Sequence, residues 1–177
     1  MNERLSLPVS QSGIRWLWIS AAVILLDQLS KLWIQANLQM RETIDLLPVL
    51  RIFRTFNSGV ALSMFADSGE WPRWVFSLLA LVVSIVLAFW LRKLPLATHR
   101  LLSAGLALII GGAIGNLIDR VYLGHVVDFI DAYWGGAHFP AFNVADSAIS
   151  IGAVLVIFDA LRDARREHVA AAQKQPE

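Results

Sequence analysis

The chain has 177 residues, 56% of them hydrophobic and only 16% charged, with a net charge of +1 and a mean hydropathy of +0.58. Soluble domains carry about 25% charged residues, so this is the composition of a membrane protein, and with no basic stripe interleaved with aromatics it speaks against nucleic-acid binding. The absence of cysteine excludes disulfides, thiolate metal sites and a cysteine nucleophile.

A membrane span needs roughly 20 mostly apolar residues. The first candidate runs from about Trp16 to Ala36 and contains Asp27 and Lys31. Arg4 and Arg15 precede its apolar run, as in a signal peptide. Asp27 follows directly, however, and no small-x-small site closes the run, so an uncleaved span is expected. Asp27 and Lys31 are spaced i, i+4 with the acid first, the favourable order for a helical ion pair. In lipid each charge needs a partner. Self-pairing, or anchoring of the next segment, therefore explains both better than a direct chemical role.

The following segment, 37–73, is not an ordinary polar loop. Residues 46–65 are largely apolar, with an Asn57–Gly59 turn signal in the middle. Alternation over 49–56 fits short strands better than a helix, so a small sheet lying on the membrane surface is expected. Spans two (74–91) and three (101–118) are uncharged. Gly111, Gly112 and Gly115 make a small-residue face suited to close helix packing. No strand precedes them, which speaks against a dinucleotide site. GNLIDR (115–120) closes span three, with Asn116 and Asp119 on one helical face. It reads either as an interfacial Asp–Arg anchor or as a place where Asn116 and Arg120 hold a substrate backbone. The stretch 129–139, FIDAYWGGAHF, has the aromatic composition of an interfacial segment. A helix is expected there, broken by Gly135–Gly136, which could serve as a hinge. Span four (about 142–161) carries Asp146 near its start and Asp159 near its end, and a loose polar tail is expected from about His168.

Lys and Arg set the orientation. The N-terminus, the 92–100 connector and the tail hold nine of the 15 basic residues, which places both termini in the cytoplasm and segments 37–73 and 119–140 outside. The expected fold class is an all-α membrane protein, a single integral domain over 1–177. Four transmembrane helices are joined by a small extracytoplasmic β-platform and an interfacial helical segment.

Carboxylates near lipid are costly and are functional candidates by default. Asp128 lies in VVDFI and Asp146 in FNVADSAI. Alone, Asp128 could be a turn residue. Asp146, three residues after Asn143, could complete a variant capping box, which also places its carboxylate at the positive end of a helix. Together they can meet at the outer membrane face as a proton-sharing acid pair, the equipment for hydrolysing a peptide bond with water. Other chemistries are weaker. There is no HExxH and no G-x-S-x-G elbow. His125, Asp128, Asp131 and His138 make only a loosely spaced metal set, and Ser58 and Ser147 read as turn and small helix residues. A small transporter would instead place charges near the midplane, and a structural scaffold would tolerate loss of either acid.

DQLSK (27–31), FNSGVALS (56–63), GNLIDR (115–120), VVDF (126–129) and FNVADSAI (142–149) occur in the order and topology of lipoprotein signal peptidase, the bacterial type II signal peptidase, which the chain resembles over nearly its whole length. The resemblance implies an intramembrane aspartyl endopeptidase of the bacterial inner membrane. It would act at the periplasmic face, cleaving prolipoproteins just before a diacylglyceryl-modified cysteine. It matches Asp128 and Asp146 to the catalytic pair and Asn57, Asn116, Arg120 and Asn143 to positions lining the site. Asp27, Lys31, Gly59 and Asp119 match supporting positions. The implied partners are the lipid-modified prolipoprotein, membrane lipid and a globomycin-type cyclic peptide inhibitor. A monomer without cofactor, metal or nucleic acid is expected. One departure is visible: Leu62 stands where the family commonly has an aromatic, which bears on the platform and on inhibitor fit.

Overall fold

The computed structural model describes residues 7–57 and 69–172. Gly59 and Leu62 lie outside the described residues, as does most of the Asn57–Gly59 turn. Among the described residues four helices are long and apolar enough to cross a membrane: α1 (Leu17–Asn37), α2 (Trp71–Lys93), α3 (Arg100–Tyr122) and α4 (Val144–Ala172). Two short 3-10 turns, Val9–Gln11 and Gly13–Trp16, lead into α1. The described residues also hold four strands: β1 (Thr43–Leu47), β2 (Leu50–Asn57), β3 (Val126–Trp134) and β4 (Ala137–His138). They form one antiparallel sheet in the order β1-β2-β3-β4.

The central helix is α3, which packs against α1, α2 and α4. Its glycines make this possible, because association in lipid depends on close packing rather than on hydrophobic burial. A Cβ on Gly111 would lie 2.8 Å from the Cβ of Val23 in α1, and one on Gly105 would lie 2.8 Å from the Gly152 carbonyl oxygen in α4. The Ser20 hydroxyl donates across the same interface to the Ala107 carbonyl at 2.6 Å. The outer faces of the other three helices expose Leu25, Leu29, Leu78, Val82, Phe89, Val154 and Phe158. Apolar surface on this scale belongs against lipid.

Two apolar clusters sit at opposite ends. Leu91, Leu94, Leu106, Ala107 and Ile110 pack where α2 ends and α3 begins. Ile34, Leu38, Val127 and Phe129 pack where the sheet rests on the end of α1. Arg54 of β2 ties that end down, its guanidinium donating to the carbonyls of Gln35 (3.1 Å) and Leu38. A cation is favourable at a helix C-terminus.

The strand expected over 49–56 is β2. The interfacial helical segment expected over 129–139 is not a helix. Residues 126–134 are β3, which lies between β2 and β4. Val126, Val127, Phe129, Ile130, Tyr133 and Trp134 are β-branched or aromatic and suit a pleated surface, and β2 offers a full partner edge. Gly135 and Gly136, at φ +55° and +86°, form the two-residue turn from Trp134 to Ala137. Such turns require positive φ at both central residues, so the pair is a tight hairpin tip rather than a break between helical segments. The tail is also more ordered than expected: α4 continues through His168 to Ala172. An Arg162–Asp159 ion pair at 2.9 Å and the helix-favouring alanines 170–172 carry it past the apolar stretch.

Candidate active site

At the sheet end of the bundle, α3 delivers Asn116, Asp119 and Arg120 from its last two turns, β3 delivers Asp128, and α4 begins with Asp146 in its first turn. Asn143 precedes α4, and the expected reciprocal cap is present. The Asp146 backbone N–H donates to Asn143 Oδ1 at 2.9 Å, and the Asn143 N–H donates to Asp146 Oδ2 at 3.2 Å. The same Asn143 is fully buried. Its Nδ2 donates to Asp128 Oδ1 at 2.7 Å and to Asn116 Oδ1 at 3.2 Å. One residue therefore bridges the two carboxylates, reaching Asp128 from its side-chain amide and Asp146 from its backbone N–H. Asn116 supplies a second link, donating from Nδ2 to Asp146 Oδ1 at 2.7 Å.

Beneath this layer lies a buried ionic layer. Lys31 Nζ sits 2.8 Å from Asp27 Oδ2, 2.9 Å from Asp119 Oδ2 and 3.1 Å from Asn116 Oδ1. Its three N–H donors thus have three acceptors. The expected Asp27–Lys31 pair forms, but it is not self-contained: it reaches across to α3. The two carboxylates also accept from backbone N–H groups. Asp27 Oδ1 accepts the Ala145 N–H at 2.9 Å, and Asp119 Oδ2 accepts the Val127 N–H at 3.1 Å. Asp27 thus helps fix the start of α4, and Asp119 the start of β3. Buried charges survive only with such complete partnering. Gly115 completes the fit: a Cβ there would lie 2.7 Å from Asp27 Oδ2.

Gln28 belongs to this layer and was not singled out in the sequence. Its Nε2 contacts Asp119 Oδ1 at 3.0 Å, and Asp27 Oδ2 and the Gly115 carbonyl at 3.2 Å. Its place beside Asp27 in DQLSK was the available signal, but a glutamine next to an ion pair carries no marking of its own.

Asp128 is nearly inaccessible. Burial pushes its carboxyl up to about 7, the negative charge of Asp146 adds to the rise, and hydrogen bonds from Asn57 and Asn143 and the charge of Lys31 oppose it. A carboxyl so placed holds a proton near neutrality. Arg120 is half-buried and lightly engaged, donating to its own helix at the Asn116 carbonyl (3.4 Å) and lying over the Phe76 ring at 5.8 Å.

The loosely spaced metal set does not assemble. Asp131 is taken by Arg51 Nε at 2.6 Å and by His138 Nδ1 at 3.0 Å. His125 lies against the Phe56 ring, tilted by 38° with centroids 3.9 Å apart.

Comparison with known proteins gives a consistent answer. Residues 19–162 match the family model described as signal peptidase (SPase) II. A lipoprotein signal peptidase of Shewanella loihica is 49% identical over 156 residues, covering 88% of this chain and 91% of the relative. One from Shewanella pealeana is 50% identical over 148 residues, covering 84% and 86%. A solved structure of a bacterial membrane enzyme superposes with a TM-score of 0.75 at 29% identity, covering 92% of this chain and 93% of that one. A second reaches 0.74 at 31% identity, covering 84% and 94%.

Proposed function

The chain belongs to the signal peptidase II family, the aspartyl intramembrane proteases that remove signal peptides from prolipoproteins, and from that premise we propose that Asp128 and Asp146 are its catalytic pair. The observation that supports the pair is the bridge through Asn143, which hydrogen-bonds one oxygen of each carboxylate.

Two carboxylates sharing a site do not both ionise readily. Asp128, with its raised affinity for a proton, is the acid. Asp146, in the first turn of α4, is the base, since a helix N-terminus favours an anion. Asp146 takes a proton from water as the water oxygen attacks the carbonyl carbon before the lipidated cysteine. Asp128 gives its proton to the carbonyl oxygen, producing a tetrahedral diol. The diol collapses as Asp146 passes its proton to the leaving nitrogen, the C–N bond breaks, and a diol proton returns to Asp128. The proton belongs to the pair and changes hands within each cycle. Asn57, Asn116 and Asn143 orient the carboxyls and the peptide backbone. Arg120, lightly held at the end of α3, meets the substrate's polar groups. Asp27, Lys31 and Asp119 are positioning residues that act through Asn116 and the starts of β3 and α4.

In the same reading the whole chain is one integral domain of the bacterial inner membrane, with both termini cytoplasmic and the pair at the periplasmic face. The basic residues of the N-terminal segment, the 92–100 connector and the tail, nine of the 15 in the sequence, support this orientation. The acyl chains of the modified cysteine stay in the bilayer beside the helices, and a globomycin-type cyclic peptide competes for the same groove. The protein acts as a monomer in this reading.

The test is cleavage of a diacylglyceryl-modified prolipoprotein by the purified protein beside Asp128→Asn and Asp146→Asn. Each acid–base group typically contributes 10²–10⁴-fold, so each variant should lose at least about a hundredfold while keeping its helical signal. Two folded variants that cleave like the unmodified protein would refute the assignment.

A further inference from the structure

At the far end of the bundle from Asp128 and Asp146, a cavity of about 560 Å³ opens between the N-terminal turns and the α2–α3 connection. Pockets of this order accept small ligands. Leu7, Trp16, Pro95 and Leu96 supply apolar wall, and Arg100 is its charged residue. The walls are built rather than adventitious. Gly13 N–H donates to the Leu94 carbonyl at 2.8 Å, Leu96 N–H to the Gln11 carbonyl at 2.9 Å, and the buried Ser12 hydroxyl to the Arg92 carbonyl at 2.6 Å. A Cβ on Gly13 would lie 2.8 Å from the Leu91 carbonyl oxygen, so the first turn is seated directly on α2.

Charge distinguishes this cavity. Among the described residues no carboxylate lines it. Arg100 is exposed and among the described residues makes no ion pair or hydrogen bond from its side chain. Arg15, whose guanidinium reaches the Ser10 carbonyl at 3.4 Å, and Arg92 and Lys93 at the end of α2 add positive charge beside it. The indole N–H of Trp16 is buried and has no acceptor among the described residues. The cavity lies where α2 ends and α3 begins, the end that the proposed orientation sets among the cytoplasmic headgroups.

We propose that this cavity holds one anionic phospholipid of the adjoining leaflet, its phosphate on Arg100 and the upper part of an acyl chain along Trp16, Pro95 and Leu96. Basic pockets between transmembrane helices suit anionic headgroups, and apolar walls suit the carbon beneath them. A free anion would use the arginine but leave the apolar wall in water. A zwitterionic lipid would bring its own cation to a surface already rich in them.

Native mass spectrometry of the full chain, released from nanodiscs of mixed phosphatidylglycerol and phosphatidylcholine, tests the proposal. The unmodified protein should retain one phosphatidylglycerol. Arg100→Gln should lower that retention about fivefold, the effect of one basic residue at a charged leaflet. Ala97→Trp, which fills the mouth from an exposed position and keeps Arg100, should lower it as well, and neither variant should change cleavage of prolipoprotein. Equal retention of the two lipids, unchanged retention in both variants, or displacement of the lipid by inorganic phosphate alone would overturn it.

Discussion

The two middle helices, α2 and α3, are each 23 residues long, and both are apolar enough to span a bilayer. In α2 the most apolar stretch has a mean hydropathy of 2.6 and is 17% buried within the protein; in α3 the values are 2.0 and 61%. The more hydrophobic helix is therefore the more peripheral one. Lipid rewards Leu, Val and Phe on α2, whereas α3 needs glycine to let neighbours approach and Asn and Asp to meet them. Hydropathy alone finds a span. The small and polar residues inside it show which span carries the site.

That contrast can be broken by substitution. The largest effect on stability should come from Lys31→Met. It leaves Asp27 and Asp119, both essentially inaccessible, without their shared cation, and breaking a buried ion pair costs about 3–5 kcal/mol. Thermal unfolding in detergent should show a large loss. Gly112→Ala comes next. Its new methyl would press on the Ala145 carbonyl and lie 2.7 Å from the Ile149 side chain. Overpacking of this kind costs about 1–3 kcal/mol, seen as a lower unfolding midpoint and slower cleavage. Leu79→Ala on the lipid face of α2 is the counterpart. It should stay within about 0.5 kcal/mol of the unmodified protein. If Leu79→Ala cost more than Gly112→Ala, the division between the two helices would be wrong.

The same contrast explains what could be read in advance. Spans are runs of local composition, and the Asn143–Asp146 cap is a local spacing, so both were legible. So was β2, from its alternation. Two features were not. Asp27 and Lys31 look self-sufficient at i, i+4, but their further partners Asn116 and Asp119 stand 85 or more positions away on another helix. Nothing local to α1 announces that meeting. The aromatic stretch after His125 suits an interfacial helix by composition. It becomes β3 because Asp128 pairs with Thr55 and Val127 with Phe56 on a distant strand. Strand identity here is decided by a long-range partner, and Asn57, at the end of β2, comes within reach of Asp128 through that pairing.

The pH dependence of prolipoprotein cleavage tests the central claim most directly. A carboxyl raised to about 7 is protonated below that pH and loses its proton above it. The acid should therefore be present on the acidic side and kcat/KM should fall as pH rises through about 7. Asn57→Leu removes a hydrogen bond that favours ionised Asp128, so this alkaline limb should move to higher pH in the variant. A rate that is flat across this range, or a limb that moves to lower pH in Asn57→Leu, would contradict Asp128 as the proton donor.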